Sequence, residues 1–467
     1  MRIALICLFA LLALPTRAQM WNGADTLYGN EWMDYSRTYY KIRVADDGLY
    51  RIDAAALAAR GLGAVPLADW RLFRDGAQVP IFISAEGAPG PDDYVEFYGQ
   101  KNRGEVERYL FDDPDADMTN PHYSLFNDTA AYFLAARPEL PPLRVSAASN
   151  DLSDPPAPEP YCLWTAREIF NAVHTKKRLS AELSYSWYDG AGFARAASHD
   201  VSVTLALPKR YAGGPNTQFA VRYVCGLGQH RQQILLDDAL QAEDQFANWR
   251  VVERAFEAPT ASLGASAVVR VRSAIGTSDR HNLAFVSARY PRLLDFDNAT
   301  QAFFELEEKI GARYLEISGF PHDGTVLYDL AHSLRLVPEA TAGGPQRVRL
   351  PEAPGPRILL LSAPAAIAQI GPDNLRPTQF RDYRAEDATY LIITHPHFAE
   401  AAQGFRDWRT GAAGGGHRVC VADVDELYDQ FGYGVRFSPM ALRNFCHYAR
   451  LHWPEWRYVL LLGKGIE

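Results

Sequence analysis

Short runs of alternating apolar and polar residues, separated by turn residues, dominate the first part of the chain. Residues 40–44 and 49–52 both alternate with a period of two, and Asp-Asp-Gly at residues 46–48 is a turn between them. This pattern predicts a β-hairpin. A second hairpin is predicted for residues 70–73 and 79–83, around the Asp75-Gly76 turn. A short helix over residues 54–60, closed by a glycine, is predicted between the two hairpins.

Alternating strands continue after a proline-rich stretch. We therefore predict a β-rich N-terminal domain over residues 19–137 and a linker over residues 138–160. Regularly spaced strands with Gly, Asn and Asp turns follow and predict a β-sandwich region over residues 161–385. Examples of these strands are residues 201–207, 219–224, 267–272 and 283–287, with further strands up to residue 361.

The pattern changes after residue 385. Three compact apolar strands, near residues 389–393, 418–422 and 458–462, alternate with two segments of helical periodicity that begin at Pro396 and at Ser438-Pro439. Strands that are apolar throughout are typical of a parallel sheet covered on both faces. The predicted fold class is therefore mostly β, followed over residues 386–467 by the first half of a doubly wound α/β domain.

The N-terminus predicts export. Arg2, an apolar run over residues 3–14 and a small-residue stop form a secretory signal peptide over residues 1–18, with cleavage between Ala18 and Gln19. No later run reaches the ~18–20 apolar residues of a spanning helix, so no transmembrane helix is predicted in the mature chain. Lys and Arg number 47 against 56 Asp and Glu, a net charge of −9, which disfavours nucleic acid as a partner.

Four cysteines remain after the predicted cleavage, and their spacing fits no metal motif. Buried free thiols are the expected state, because unpaired cysteines are commonly buried. A disulfide between Cys162 and Cys225 stays open as an alternative within one β domain. Cys420, in mid-strand, and Cys446, on the apolar face of a helix, are predicted to be core residues rather than nucleophiles.

Chemistry in an open parallel sheet is expected beyond the carboxyl ends of its strands. His395 and His397 follow the first of the three strands, and a solvated turn opening a helix is the alternative to a role as base. Asp423, Asp425 and Glu426 follow the second strand and could bind calcium, but a solvated loop is favoured because further oxygen ligands cannot be identified.

Other motifs are incomplete. Gly463-Lys464, after the third strand, lacks the earlier glycine of a phosphate-binding loop. Asp113, Asp115 and Asp117 alternate like a calcium loop without its glycine and closing glutamate, which favours an acidic surface loop. HExxH and GxSxG are absent from the sequence. We accordingly assign no catalytic, metal-binding or cofactor-binding residue and expect no cofactor.

The order of these segments resembles the PorU-type sortases of the type IX secretion system, which are gingipain-like cysteine peptidases. The residues that carry the resemblance are 45–52 (Ala-Asp-Asp-Gly-Leu-Tyr-Arg-Ile), 93–99 (Asp-Tyr-Val-Glu-Phe-Tyr-Gly), 120–124 with 131–134, 390–396 and 458–463. In this family a His–Cys dyad lies on loops after later strands of the α/β domain, and its thiolate attacks a peptide carbonyl of secreted cargo. No residue of this chain matches that dyad. Lys464 also departs from the acidic residue that many relatives have there.

The resemblance implies the N-terminal portion of such a peptidase, which processes the C-terminal signal of its cargo. By itself this portion is expected to be inactive. The implied location is the periplasm or the cell surface at the outer membrane, and the implied partners are cargo proteins and an outer-membrane β-barrel. Two alternatives remain: a non-catalytic exported surface binding or adhesion module, and a complete protein whose α/β region binds a small ligand.

Overall fold

The computed structural model describes residues 20–177, 191–341 and 343–464. The predicted signal peptide over residues 1–18 lies outside the described residues. Within the described ranges, no helix has both the length and the apolar composition needed to cross a membrane. Short 3-10 turns occur at Leu67–Asp69, Val106–Leu110, Thr260–Ser262, Pro364–Ala366, Pro372–Asn374, Tyr383–Ala385, Pro396–Phe398 and Ala412–Gly414.

The N-terminal domain packs two antiparallel sheets face to face. Its strands are β1 (Met20–Trp21), β2 (Thr26–Leu27), β3 (Thr38–Val44), β4 (Gly48–Asp53), β5 (Trp70–Arg74), β6 (Ala77–Val79), β7 (Phe82–Ile83), β8 (Tyr94–Gly99) and β9 (Ala130–Ala136). Its helices are α1 (Ala54–Ala59) and α2 (Pro114–Asp117). Helix α1 consists of alanines and one leucine, which are strong helix formers, and Gly61, with φ +75°, follows its end. Side chains such as Ile42, Ile52, Trp70, Phe97 and Leu134 form the core between the sheets.

The first predicted hairpin is wrong. Strand β3 pairs with β9, whereas β4 pairs with β8, so the turn at residues 46–48 carries the chain from one sheet to the facing one. The alternation is the same in both arrangements, because Ile42 and Ile52 point into one core either way. The second predicted hairpin is confirmed at its turn, since β5 and β6 pair around Asp75-Gly76, but its second strand ends at Val79 and residues 82–83 form β7, which pairs with β8.

A nine-stranded sheet and a smaller four-stranded sheet form the middle of the chain. The strands are β10 (Ser146–Ala147), β11 (Cys162–Ile169), β12 (Val173–Thr175), β13 (Gly192–Ala194), β14 (Asp200–Ala206), β15 (Thr217–Cys225), β16 (Gln229–Leu236), β17 (Ala239–Ala247), β18 (Arg250–Ala258), β19 (Ser266–Ser273), β20 (His281–Arg292), β21 (Gln301–Leu306), β22 (Arg313–Ile317), β23 (Val326–Asp329), β24 (Leu334–Leu336), β25 (Gln346–Leu350) and β26 (Arg357–Ser362). The large sheet has the order β10-β24-β23-β26-β21-β11-β20-β15-β18, and the small sheet has the order β14-β19-β16-β17. Two-stranded sheets β12-β13 and β22-β25 complete this part.

Two separate cores lie along the nine-stranded sheet. One packs β15, β18 and β20 against the four-stranded sheet, and the other lies between β21, β23 and β26 and the β22-β25 pair. Cys225 belongs to the first core and Cys162 to the second, and both are buried free thiols. The expected free state is confirmed for this pair.

Hydrogen bonding crosses the predicted domain boundaries. Strand β10, inside the predicted linker, runs parallel to β24 of the large sheet. The chain also returns to the N-terminal domain through β27 (Ala368–Gln369) and β28 (Arg376–Gln379). Strand β27 pairs with β4, and β28 pairs with β3. The domain limits therefore stay a prediction, and residues 368–379 contribute edge strands to the first domain's two sheets.

The loop between β8 and β9 docks against the nine-stranded sheet. The side-chain amide of Asn120 donates to the carbonyls of Phe170, Phe193 and Ala284 at 3.0–3.4 Å. The Arg222 guanidinium on β15 donates to the carbonyls of Asp115, Met118 and Thr119. Because Asn120 of the first domain donates to the sandwich and Arg222 of the sandwich donates to the first domain, the two side chains join the N-terminal domain to the sandwich.

The last part of the chain is a parallel α/β layer. Its elements are β29 (Tyr390–Thr394), α3 (Ala399–Thr410), β30 (Val419–Asp423), α4 (Val424–Phe431), α5 (Pro439–His452) and β31 (Tyr458–Leu462). The strand order is β30-β29-β31, and every pairing is parallel. The predicted mostly β fold with a C-terminal α/β start is confirmed. Helix α4, which the sequence analysis did not predict, packs with α5 over one face of this sheet.

Candidate functional site

The carboxyl ends of the three parallel strands meet at one edge, as the sequence predicts for such a sheet. Thr394 at the end of β29 pairs in register with Asp423 of β30 and Leu462 of β31. Its hydroxyl donates to the Leu462 carbonyl at 3.0 Å, which ties two strand ends together. Lys464 follows, exposed to solvent. The edge thus gathers His395, the acidic residues after β30 and Lys464 in one place.

His395 is held by groups that occupy both of its ring nitrogens. Its Nδ1 accepts from the backbone N–H of His397 at 3.1 Å, so the proton of the neutral ring belongs on Nε2. Nε2 faces a carboxylate oxygen of Asp425 at 3.5 Å. The one lone pair of the neutral ring is therefore used to cap the turn of Pro396–Phe398. For this reason His395 is not poised as a general base. The solvated turn that opens a helix is the structure found here.

The acidic residues after β30 point in different directions. The Asp423 carboxylate caps α4 by accepting from the Asp425 backbone N–H at 2.9 Å, and burial raises its pKa. Asp425 faces outward and accepts from Arg436 at 3.2 Å as well as meeting His395. Glu426 faces inward and accepts from the Arg381 backbone N–H and the Tyr383 hydroxyl, both at 3.2 Å.

Because the carboxylates of Asp423, Asp425 and Glu426 point in different directions, they do not form a cation-binding site. Burial raises the pKa of Glu426, and its oxygens are occupied by neutral donors rather than turned toward Asp425. Within the described ranges, no group of three or more His, Cys, Asp or Glu residues is arranged to hold a metal ion. The acidic residues of α2 behave similarly: Asp113 caps the helix through the Ala116 N–H, and Asp115 pairs with Arg108 at 2.8 Å. A capped acidic surface turn fits that segment.

The two cysteines of the α/β layer are poor nucleophiles. Cys420 is buried in mid-strand, and burial raises the pKa of its thiol to about 12. Cys446 is half-buried on α5, and burial raises the pKa of its thiol to about 11. A reactive cysteine needs the opposite shift, toward the thiolate. Neither side chain lies at the strand edge where His395 and Asp425 meet.

Sequence reasoning missed the residues that shape this edge from outside the α/β layer. Arg436 lies in the loop after α4, and Arg381 and Tyr383 precede β29. The N-cap Asp423 and the apolar pair Leu427 and Phe431, spaced i and i+4, would have indicated α4. The partner of Arg436, Asp425, could not be found in this way, because it lies at the start of α4 and the loop that brings the two together has no periodic pattern.

The C-terminal region is similar to a family of peptidases. Residues 383–467 match the family model described as Peptidase family C25, the gingipain family of cysteine peptidases. This range contains the whole parallel layer described above.

Over most of its length the chain also has the fold of a particular solved protein. It is similar to the crystal structure of dimeric latent PorU from Porphyromonas gingivalis, with a TM-score of 0.56 and 14% sequence identity over 92% of this chain. The predicted resemblance is confirmed at the level of the fold. The match covers 42% of the PorU chain, so this chain spans less than half of that protein's length.

Carbohydrate-binding modules are also similar to part of the chain. The CBM36-1 domain of a xylanase from the hindgut metagenome of Trinervitermes trinervoides matches 27% of this chain and 95% of its own, at 8% identity and a TM-score of 0.17. CBM35 from Cellvibrio japonicus Abf62 matches 27% of this chain and 91% of its own, at 9% identity and the same TM-score. Scores this low carry no argument about function. No curated protein matches the chain.

Proposed function

We propose that this chain supplies the β-rich body and the first half of the peptidase domain of a sortase-like cysteine peptidase of type IX secretion. The reaction would be thiolate attack on a peptide carbonyl near the C-terminal signal of a secreted cargo protein. The observation that carries the proposal is the conjunction of two matches. A C25 peptidase layer at residues 383–467 sits on a body that follows the PorU fold.

The site geometry supports a scaffolding part for the described residues. The carboxyl edge holds a turn-capping histidine and a helix-capping aspartate, and the two cysteines of this layer lie away from the edge with raised thiol pKa values. Each of these groups either has a capping role or has its thiol pKa shifted away from the thiolate, which supports a scaffolding role. We therefore propose that the catalytic dyad belongs to elements other than those described, and that the 467 residues have no peptidase activity alone.

Location and partners follow the same proposal. The protein would be exported and act in the periplasm or at the cell surface, on secreted cargo and beside an outer-membrane β-barrel protein. Support comes from the PorU-like fold together with the signal-peptide pattern of the first 18 residues.

The decisive experiment is to sequence the transcript past the codon for Glu467. A reading frame that continues with a histidine at one strand end and a cysteine after the next strand would support the proposal. A confirmed stop codon would overturn it and leave an exported β protein whose function is binding.

A biochemical test accompanies the genetic one. Purified 467-residue protein is expected to cleave no peptide substrate, with or without reductant. Thiol-dependent cleavage that disappears in Cys420→Ala or Cys446→Ala would contradict our assignment of both residues to the core. Leu442→Ala, on the same helix as Cys446, serves as the matched control for a change in packing without loss of a thiol.

A further inference from the structure

A cleft of about 260 Å³ lies between the outer face of the first domain and helix α4, beside the carboxyl edge of the parallel sheet. We call it the basic cleft. Its charged lining residues are Lys41, Arg43, Arg376, Arg436, Asp425 and Asp429. Four cations therefore face two carboxylates, in a protein whose overall net charge is −9. The cleft is locally positive against the trend of the whole chain.

Two of the cations are already neutralised. Lys41 forms an ion pair with Asp429, and Arg436 pairs with Asp425 at 3.2 Å. Arg43 and Arg376, in contrast, are exposed, and within the described part of the chain neither side chain has an ion-pair or hydrogen-bond partner. The excess positive charge of the cleft thus resides on these two guanidinium groups.

The sheet register places the unpaired charges close to another cation. Arg376 of β28 lies directly opposite Lys41 of β3, and Arg43 follows Lys41 by two residues on the same outer face. Like charges in directly opposite positions destabilise a sheet. An anion bound between these cations would offset their repulsion.

The loop that carries Arg436 is strained. Tyr433 and Phe437 have φ values of +54° and +66°, a left-handed backbone conformation that aromatic residues rarely adopt. Such residues cost free energy and concentrate where a side chain must be held in place. Here the strained positions flank Arg436 and hold it at the mouth of the cleft.

We infer that the basic cleft binds an extended acidic segment of a polypeptide. Arg376 lies directly opposite Lys41, so the two unpaired residues Arg43 and Arg376 occupy diagonal positions of the sheet, roughly 7–8 Å apart. Alternate side chains of an extended peptide have this same spacing, so two carboxylates can each meet a separate cation. Arg43 and Arg376 would form the charge-assisted hydrogen bonds, because their unpaired guanidinium groups can donate to carboxylate oxygens.

This inference deepens the proposed function, and rests on it only in naming the acidic segment as part of the substrate polypeptide. The cleft opens at the edge to which a substrate of the peptidase layer would bind. An acidic segment held there would position the adjoining peptide bond along that edge.

The test uses the 467-residue chain and a fluorescein-labelled peptide of alternating Glu and Ala, followed by fluorescence anisotropy at low ionic strength. We expect saturable binding that weakens as salt is added, and no binding of the matching Lys and Ala peptide. The double variant Arg43→Gln/Arg376→Gln should weaken binding at least about tenfold. Arg280→Gln, which removes one exposed cation from the sandwich, should leave the affinity unchanged.

Each outcome decides. Equal affinity for the double variant and the Arg280→Gln control overturns the inference and assigns these arginines to protection of the β28 edge. If inorganic phosphate, added at the same total concentration of negative charge, displaces the peptide completely, the inference that the ligand is an extended peptide is overturned. Unfolding of the double variant is checked by circular dichroism, and Arg376→Glu alone then provides the test. Since no catalysis is measured, a stop codon after Glu467 would defeat the proposed function without affecting this result.

Discussion

Strands β29 and β31 are neighbours with similar apolar sequences, Tyr-Leu-Ile-Ile-Thr and Tyr-Val-Leu-Leu-Leu, but they lie in different surroundings. Every residue of β29 is buried, because β30 and β31 flank it and helices cover its faces. In β31, Tyr458, Val459 and Leu461 are 48%, 47% and 62% exposed. An apolar strand is therefore not a buried strand until other elements cover it.

The two β domains that precede the α/β layer, which we call the β body, are much more completely buried than β31. Even its charged groups are enclosed and paired, as with Arg357 and Asp329, which are 1% and 0% exposed. Its two domains are also joined by buried polar contacts. We conclude that the body is the more stable region and that the C-terminal layer, with one side of β31 uncovered, opens more easily.

We expect the largest loss of stability from disrupting a buried ion pair inside the β body. Asp329→Ala leaves the Arg357 guanidinium buried without its carboxylate and removes the partner of His332, and we expect a loss of about 3–5 kcal/mol in the free energy of unfolding. Urea denaturation followed by tryptophan fluorescence measures it. Asp373→Ala, which removes a fully exposed partner of Arg60, should change nothing measurable. A small effect of Asp329→Ala would contradict the view of a tightly held body.

The two strands can be compared directly. Leu391→Ala in β29 removes a fully buried side chain and should cost about 2–5 kcal/mol, whereas Leu461→Ala in β31 should cost far less. Amide hydrogen exchange of the two variants and the parent chain distinguishes local from global loss of protection. Equal costs at both positions would show that β31 is covered in solution, which would remove the contrast.

The junction between the two β domains provides a smaller effect. Asn120→Ala removes the donors to three backbone carbonyls, so we expect about 1–3 kcal/mol of destabilisation. The matched control is Asn282→Ala, which removes one exposed bond to the Arg195 carbonyl. If thermal unfolding separates into two transitions in Asn120→Ala alone, the junction is what makes the body a single cooperative unit.

The last effect is a pH dependence of the body. Glu107 accepts from Ser124 and from the Leu125 backbone N–H, but burial raises its pKa to about 7. The folded state therefore binds this proton more tightly than the unfolded state does. The stability it contributes is present below its ordinary pKa of 4.5 and is lost as the pH rises toward 7. Glu107→Gln should flatten this slope in urea denaturation at pH 4.5 to 7, and an unchanged slope would refute the assignment.

The sequence predicted the elements whose patterns are local. The three strands and the helices α3 and α5 of the last region were predicted because the strands are apolar throughout and prolines mark the helix starts; the structure adds helix α4 and otherwise differs only in details. The Ser438 side chain, for instance, makes no capping hydrogen bond to α5, although Pro439 is the first residue of the helix. The 3-10 turn Pro396–Phe398 likewise precedes α3, so the helix begins at Ala399, three residues after the predicted start at Pro396.

What could not be predicted depends on long-range packing. Alternation shows that Ile42 and Ile52 share a core, but it cannot distinguish a hairpin from two facing sheets. The short strands β27 and β28 have no pattern of their own, and their partners lie more than 300 residues earlier. The basic cleft was missed for the same reason, since β28 brings one of its two unpaired arginines.

The return of the chain to its first domain imposes an order on folding. While the chain is being made, β3 and β4 are complete early, yet each waits for a partner strand that appears only at residues 368–379. Closing so large a loop costs only slightly more entropy than closing a moderate one, because the cost grows with the logarithm of length. During that interval the outer edges of both sheets are unpaired and are able to pair with other chains. The first domain to be synthesised is thus among the last to be finished, and any product that stops before residue 368 would carry two open sheet edges.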